Sequence, residues 1–187
     1  MTVYIALLRG VNVGGHNKIK MAELKRTFEW MGLDRVQTYI QSGNVLFESE
    51  EEDEDTLRRR LEREIGKVFG ISTTVVLRTA REFERIVENC PFTKEELLEA
   101  EASSEGERLY VSLLLKAPSQ EGIERLSAFK SERDEYRIQG REVYLIFRHG
   151  VRNSKLAVNL DKLDVPSTMR NWNTINKLAA LAREMEA

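Results

Sequence analysis

Val3-Tyr4-Ile5-Ala6-Leu7-Leu8 is an apolar run without polar alternation. A strand that is apolar on both alternation faces is one covered on both sides. A glycine-rich loop follows, Gly10-Val11-Asn12-Val13-Gly14-Gly15-His16-Asn17. Met21, Leu24, Phe28 and Met31 then recur at helical spacing, and Gly32 ends the run. Val36–Gln41 and Val45–Glu48 read as short strands, with Ser42-Gly43-Asn44 as the tight turn between them. Leu57, Leu61, Ile65, Val68 and Phe69 mark a second helix, and Thr73–Leu77 a further strand. This order, β-α-β-β-α-β, is the split β-α-β or ferredoxin-like unit.

Thr79 with Glu82, and Thr93 with Glu96, are capping-box patterns that start two linking helices, the second ending near Ala102. The polar stretch Ser103-Ser104-Glu105-Gly106 is the linker candidate. A second series then begins. Leu109–Leu115 is a strand, and Ile123, Leu126 and Phe129 mark a helix. Glu135–Gln139 and Glu142–Phe147 are strands joined at Gly140-Arg141. Leu156, Leu160 and Leu163 mark one more helix, and Trp172, Ile175, Leu178, Ala182 and Met185 the last. Val3–Leu8 matches Leu109–Leu114, and Tyr39 and Gly43 match Tyr136 and Gly140 at one common offset, which suggests internal duplication. The expectation is an α+β chain of two ferredoxin-like halves, residues 1–102 and 107–187. They are expected to pack as one body, because one helical layer covers only one face of the first strand.

Composition bounds the function. Hydrophobic residues are 41% and charged residues 32% of 187, a globular composition. Net charge is −2 at pH 7, so the molecule as a whole has no electrostatic reason to bind duplex DNA or an anionic membrane. No apolar stretch approaches the roughly 20 residues that span a bilayer. The first apolar run is too short for a signal peptide and is followed by Arg9. With Cys90 as the single cysteine no intrachain disulfide can form, which suits a reducing, cytoplasmic setting. Cys90 itself reads as a structural thiol.

Several motifs fail at a definable residue. Gly10 and Gly15 have the separation of the outer glycines of a phosphate-binding P-loop, but His16 and Asn17 stand where lysine and a hydroxyl residue belong. The dinucleotide fingerprint Gly-x-Gly-x-x-Gly is absent, as is a Gly-x-Ser-x-Gly nucleophile elbow. His16 and His149 lie far apart, and no Cys or His cluster supports zinc, so no metal and no cofactor is expected. The strand after the first hairpin lacks the basic-Gly-aromatic signature of RNA-binding sheets.

Charge at the helix starts carries more information. Acids favour the positive end of a helix dipole, and Glu82, Glu95, Glu96, Glu121 and the run Glu48–Asp55 obey that rule. Three starts do not: Asn17-Lys18-Ile19-Lys20, the segment Arg148–Lys155, and Thr168-Met169-Arg170-Asn171. A cation there costs roughly 0.3–1 kcal/mol when exposed. A bound anion reverses the sign, since free backbone N–H groups and cations then act together. Arg9, Asn12, Lys18, Ser42, Asn44, Ser154, Lys155, Arg170 and Asn171 are therefore the candidate lining of one anion-binding cleft. Asn12, Ser42 and Asn44 could instead satisfy loop backbone, the commoner task of such residues. Trp172, at helical spacing with Ile175, reads as core rather than as a ligand platform. Lys155 or His16 would be the proton-transfer group of an enzyme, but no paired acid and base is visible.

The segments Leu7–Gly15, Tyr39–Val45, Ser154-Lys155-Leu156 and Thr168–Thr174 together resemble the bacterial domain-of-unknown-function family DUF1697, with a likeness running from about residue 3 to 182. The resemblance implies two intertwined ferredoxin-like subdomains and no established activity. Three readings stand: a binder of a small phosphate- or carboxylate-bearing ligand, a protein–protein module, and an RNA-associated factor.

Overall fold

The computed structural model describes residues 1–102, 108–129, 134–148, 150–151 and 154–187. The linker candidate Ser103–Gly106 lies outside the described residues, as do His149, Arg152 and Asn153. The chain divides into two compact units, Met1–Arg85 with Asn176–Ala187, and Ile86–Ile175.

The first unit runs β1 (Thr2–Leu8), α1 (Met21–Trp30), β2 (Asp34–Tyr39), β3 (Asn44–Ser49), α2 (Glu54–Phe69) and β4 (Val75–Thr79). The strands form an antiparallel sheet of order β2-β3-β1-β4, the ferredoxin-like arrangement. On one face Tyr4, Ala6, Leu8, Phe47 and Leu77 pack under Leu24 and Phe28 of α1 and Leu57, Leu61 and Ile65 of α2. The other face of the same strands, Val3, Ile5, Leu7, Leu46 and Val76, is buried as well. Burial on both sides is what the unalternating first strand requires. Each fully buried leucine contributes roughly 1.5–3 kcal/mol.

Chain order and compactness part company at the C-terminus. Sequence order places every residue after 107 in the second half, yet 176–187 belong to the first unit. There Arg35 donates to the Met185 carbonyl at 2.6 Å and Arg183 pairs with Glu84 at 3.5 Å.

After α3 (Ala80–Glu88) and α4 (Lys94–Ala102), the second unit carries β5 (Leu109–Leu114), α5 (Gln120–Ser127), β6 (Asp134–Gln139) and β7 (Glu142–Phe147). Next come α6 (Lys155–Val158), a 3₁₀ turn (Leu160–Leu163), β8 (Ser167–Asn171) and α7 (Trp172–Glu186), whose residues from Asn176 on belong to the first unit. Both capping boxes form: Thr79 and Glu82 exchange bonds of 2.8 and 3.1 Å, and Thr93 and Glu96 bonds of 3.1 Å. The second sheet has the order β6-β7-β5-β8, a repeat of the first. Leu114, Val143, Leu145 and Phe147 pack under Leu126, Leu156 and Leu163, and the reverse face, Leu109, Val111, Leu113 and Ile146, is buried too.

Three expectations are corrected here. Thr168–Asn171 does not open the last helix; it lies in β8, paired with β5 through Val111–Arg170 and Leu113–Thr168. The five-residue strand has too little apolar alternation to announce itself, and its pairing with β5 decides the conformation. The run through Leu156 and Leu163 is not one helix, because the chain leaves helical geometry at Asn159 (φ −108°, ψ 9°). Tyr39 and Tyr136 are not equivalent: Tyr39 pairs with Asn44 beside Leu7, whereas Tyr136 pairs with Leu145 beside Tyr110.

The first hairpin depends on Gly43. Its φ is +84°, and an added Cβ would lie 2.5 Å from Val11 Cγ2 and 3.0 Å from Leu8 Cβ. Gly140 in the second hairpin, at φ +58°, has open space around it. Gly43→Ala should cost about 2–4 kcal/mol, from strain plus overpacking. Gly140→Ala should cost about 1–2 kcal/mol, from backbone conformation alone. Urea denaturation of the two variants measures the difference.

Candidate functional site

Five of the nine proposed residues fall at one end of the first sheet. There the Leu8 N–H donates to the Gly43 carbonyl at 2.9 Å and the Arg9 N–H to the Thr74 carbonyl at 3.0 Å. These bonds bring the end of β1, the β2–β3 turn and the start of β4 together. Asn12, held at φ +55°, ties the glycine loop down. Its Nδ2 donates to the Ile19 carbonyl at 3.0 Å and the Gln41 carbonyl at 2.7 Å, and its Oδ1 accepts from the Ile19 N–H at 2.8 Å. Asn44, fully buried, donates to the Tyr39 carbonyl at 3.0 Å and to Ser42 Oγ at 2.8 Å. Asn12 and Asn44 thus build the loops, the alternative their residue type had left open. Arg9 and Lys18 are exposed and Ser42 is half-buried.

Beside these loops lies a cavity of about 790 Å³, lined by Asn12, Lys18, Lys20, Glu23 and Gln41 together with the first residues of α1. Of the proposed residues only Asn12 and Lys18 line it; Arg9, Ser42 and Asn44 do not. Lys20 is the residue before α1, and no side chain caps the helix. The helix dipole and a first turn without a side-chain cap therefore meet a space with two lysines and one glutamate on its wall. Lys20 and Gln41 were not among the nine. The signal for Lys20 was its place in the basic helix start, and Gln41 adjoins the turn that Asn12 grips.

The four proposed residues of the second unit are occupied differently. Ser154 donates to Asp134 Oδ2 at 2.6 Å and caps α6 by accepting from the Ala157 N–H at 3.1 Å. Lys155 is exposed on that four-residue helix. Arg148, from the same basic segment, pairs with Glu135 at 3.2 Å. Asn171 Oδ1 accepts from the Thr174 N–H at 2.8 Å and so caps α7.

Arg170 is buried, donating to Thr168 Oγ1 at 2.7 Å and the Met169 carbonyl at 3.0 Å. Burial pulls its guanidinium down to about 10, which leaves it a cation at neutral pH. Asp134 shares the helix-covered face with its partner Phe147, whereas Arg170 shares the reverse face with Val111. The second sheet therefore separates the Ser154 side chain from the Arg170 side chain, and one cleft cannot be lined by both. Sequence spacing could not show this, because the face of a residue depends on β8 being a strand.

Cys90 is half-buried, and burial pushes its thiol above the usual range. Trp172 is half-buried with its ring centroid 6.5 Å from that of Tyr144. His16 is exposed beside the Val13–His16 bridge. Among the described residues no helix is long and apolar enough to cross a membrane, and no cluster of three or more His, Cys, Asp or Glu residues could hold a metal ion.

Two duplicate-ordered ferredoxin-like sheets with a glycine-loop cavity define the class of protein. The family model described as "Protein of unknown function (DUF1697)" matches residues 1–144, and the chain belongs to that family. Among solved structures it is similar to the conserved bacterial protein SP0830 from Streptococcus pneumoniae, at 26% identity and a TM-score of 0.70, covering 97% of this chain and 98% of that one. No curated protein matches the sequence.

Placing Arg170 in a strand changes what its removal should do. At a helix start its loss would be neutral or helpful; in the sheet interior Arg170→Met should destabilise the protein by about 1.5–3 kcal/mol per lost charge-assisted bond. Lys18→Ala, at an exposed position, should stay within about 0.5 kcal/mol of the parent in the same denaturation measurement.

Proposed function

We propose that the chain binds a small phosphate- or carboxylate-bearing molecule in the cavity at the start of α1. The observation that supports this reading is the uncapped α1 N-terminus opening beside Lys18 and Lys20. A native helix start is normally capped by its own Ser, Thr, Asp or Asn. Here the capping position holds Lys20, whose carbonyl takes the Glu23 and Leu24 N–H groups at 3.0 Å but whose ammonium offers no acceptor to those of Met21 and Ala22. An anionic oxygen would accept from those N–H groups while the lysines neutralise it. The glycine loop contributes an open wall, and Asn12 keeps that wall next to the hairpin. Arg9, exposed at the same sheet end, is available to a larger ligand, whereas Ser42 Oγ already accepts from Asn44 at 2.8 Å. Ser154, Lys155, Arg170 and Asn171 are left out of this reading, since all but Lys155 have structural partners within the second unit.

We also infer that the two sheets arose by internal duplication. Ile5 pairs with Arg78 on β4, and Val111, its counterpart in the Val3–Leu8 match, pairs with Arg170 on β8. The Leu8 N–H reaches the Gly43 carbonyl at 2.9 Å, and the Leu114 N–H reaches the Arg141 carbonyl at 2.9 Å. Equivalent registers support common descent more strongly than the short sequence match.

A thermal-shift screen with inorganic phosphate, phosphosugars, nucleotides and carboxylates tests the binding. A ligand at 100 times its dissociation constant should add about 2.7 kcal/mol of stability. Lys18→Ala and Lys20→Ala should each weaken a hit by roughly tenfold or more, as loss of a charge-assisted bond implies. A hit whose affinity is the same in both variants would refute the assignment to this cavity.

A further inference from the structure

A second feature of the first unit lies outside that cavity. Between the end of α1 and α2 is a groove of about 230 Å³ lined by Trp30, Met31, Arg60, Arg63, Glu64 and Lys67. Trp30 is 86% exposed, although tryptophan normally hides most of its ring. Arg60, Arg63 and Lys67 are all exposed, and their spacing puts them along one face of α2. At 1.5 Å rise per residue they stand about 4.5 and 6 Å apart along the axis.

The pairing of charges on α2 is uneven. Arg58 bonds Glu62 at 2.9 Å and Asp55 at 3.7 Å. Arg60, Arg63 and Lys67 form no ion pair with any other described residue. The groove thus presents three uncommitted cations, one glutamate and a bare indole face.

We propose that this groove binds single-stranded nucleic acid, with phosphates on Arg60, Arg63 and Lys67 and one base stacked on Trp30. Cations that track a backbone beside an aromatic platform are the usual means of holding a single strand. Two of the cations are guanidinium groups, whose planar fork suits phosphate oxygens. A duplex fits poorly, because its bases are already stacked and unavailable to Trp30. An acidic peptide would use the cations but has no planar group that needs the indole. The central strands take no part, since β1, β3, β5 and β7 are buried along nearly their whole length.

Fluorescence anisotropy of a labelled oligouridylate dodecamer with the full chain, at low salt, tests the proposal. Binding should weaken with salt at a log–log slope of about −2, from three phosphates at roughly −0.7 each. Trp30→Ala should raise the dissociation constant by about tenfold, within the range for one stacked base. Arg60→Glu with Arg63→Glu should raise it further. All three positions are exposed, so circular dichroism should show the fold unchanged. The oligonucleotide should quench intrinsic fluorescence in Trp172→Phe and not in Trp30→Phe. No anisotropy change at roughly 100 µM chain, the weak end of non-specific binding, would overturn the proposal. So would equal affinity in the parent and Trp30→Ala. Competition by polyglutamate as effective as by oligouridylate would reassign the groove to acidic peptides.

Discussion

β1 is paired on both edges, to β3 and β4, and buried on both faces from Val3 to Leu8, which leaves almost none of that surface for water. β5 has the same position between β7 and β8. A strand in this position is apolar at nearly every residue, Ser112 of β5 being the buried polar exception, and its backbone groups find their partners within the sheet. Much else follows from that constraint. The central strands have no free face on which to recognise a ligand, as the sheets of many RNA-binding modules do. Recognition is confined to strand ends, helix starts and outer helix faces.

The end of β1 shows how such a periphery is made. The chain leaves the buried strand, bonds to Gly43 and Thr74, and enters a loop whose shape is set by Asn12. The asparagine is polar because it has to satisfy backbone groups of two loops at once, and that work spends its amide. The charged residues around it do no such work. Lys18 and Lys20 stay exposed beside an uncapped helix, which is why they, rather than the loop-building asparagines, carry the ligand-binding proposal.

Parts of this were readable from residues alone. The Thr79–Glu82 and Thr93–Glu96 pairs specify local geometry within four residues, and both formed. Val3–Leu8 announced burial on both faces because a continuous apolar run has no other soluble explanation. The basic segment before α1 pointed to the cavity wall for a similar reason: Lys20 stands where a cap belongs. In the second unit the same argument misled. Thr168–Asn171 carries Arg170 next to a helix, but a strand precedes that helix, and the cation is in the sheet interior instead of at the dipole.

The amino-acid order by itself determined the element types where local physics suffices: hydrophobic period, capping boxes, glycine turns and the two-sided first strand. Only the tertiary structure decided which face each side chain takes. β8 exists because β5 offers it an unpaired edge, a partner more than fifty residues earlier in the chain. That pairing sends Arg170 to one side of the sheet, while Ser154, bonded to Asp134, stands on the other. Residue 176 onward joins the first unit by the same kind of long-range contact, Arg35 to the Met185 carbonyl. Such pairings are set by complementary surfaces brought together on folding, and no window of neighbouring residues contains both partners.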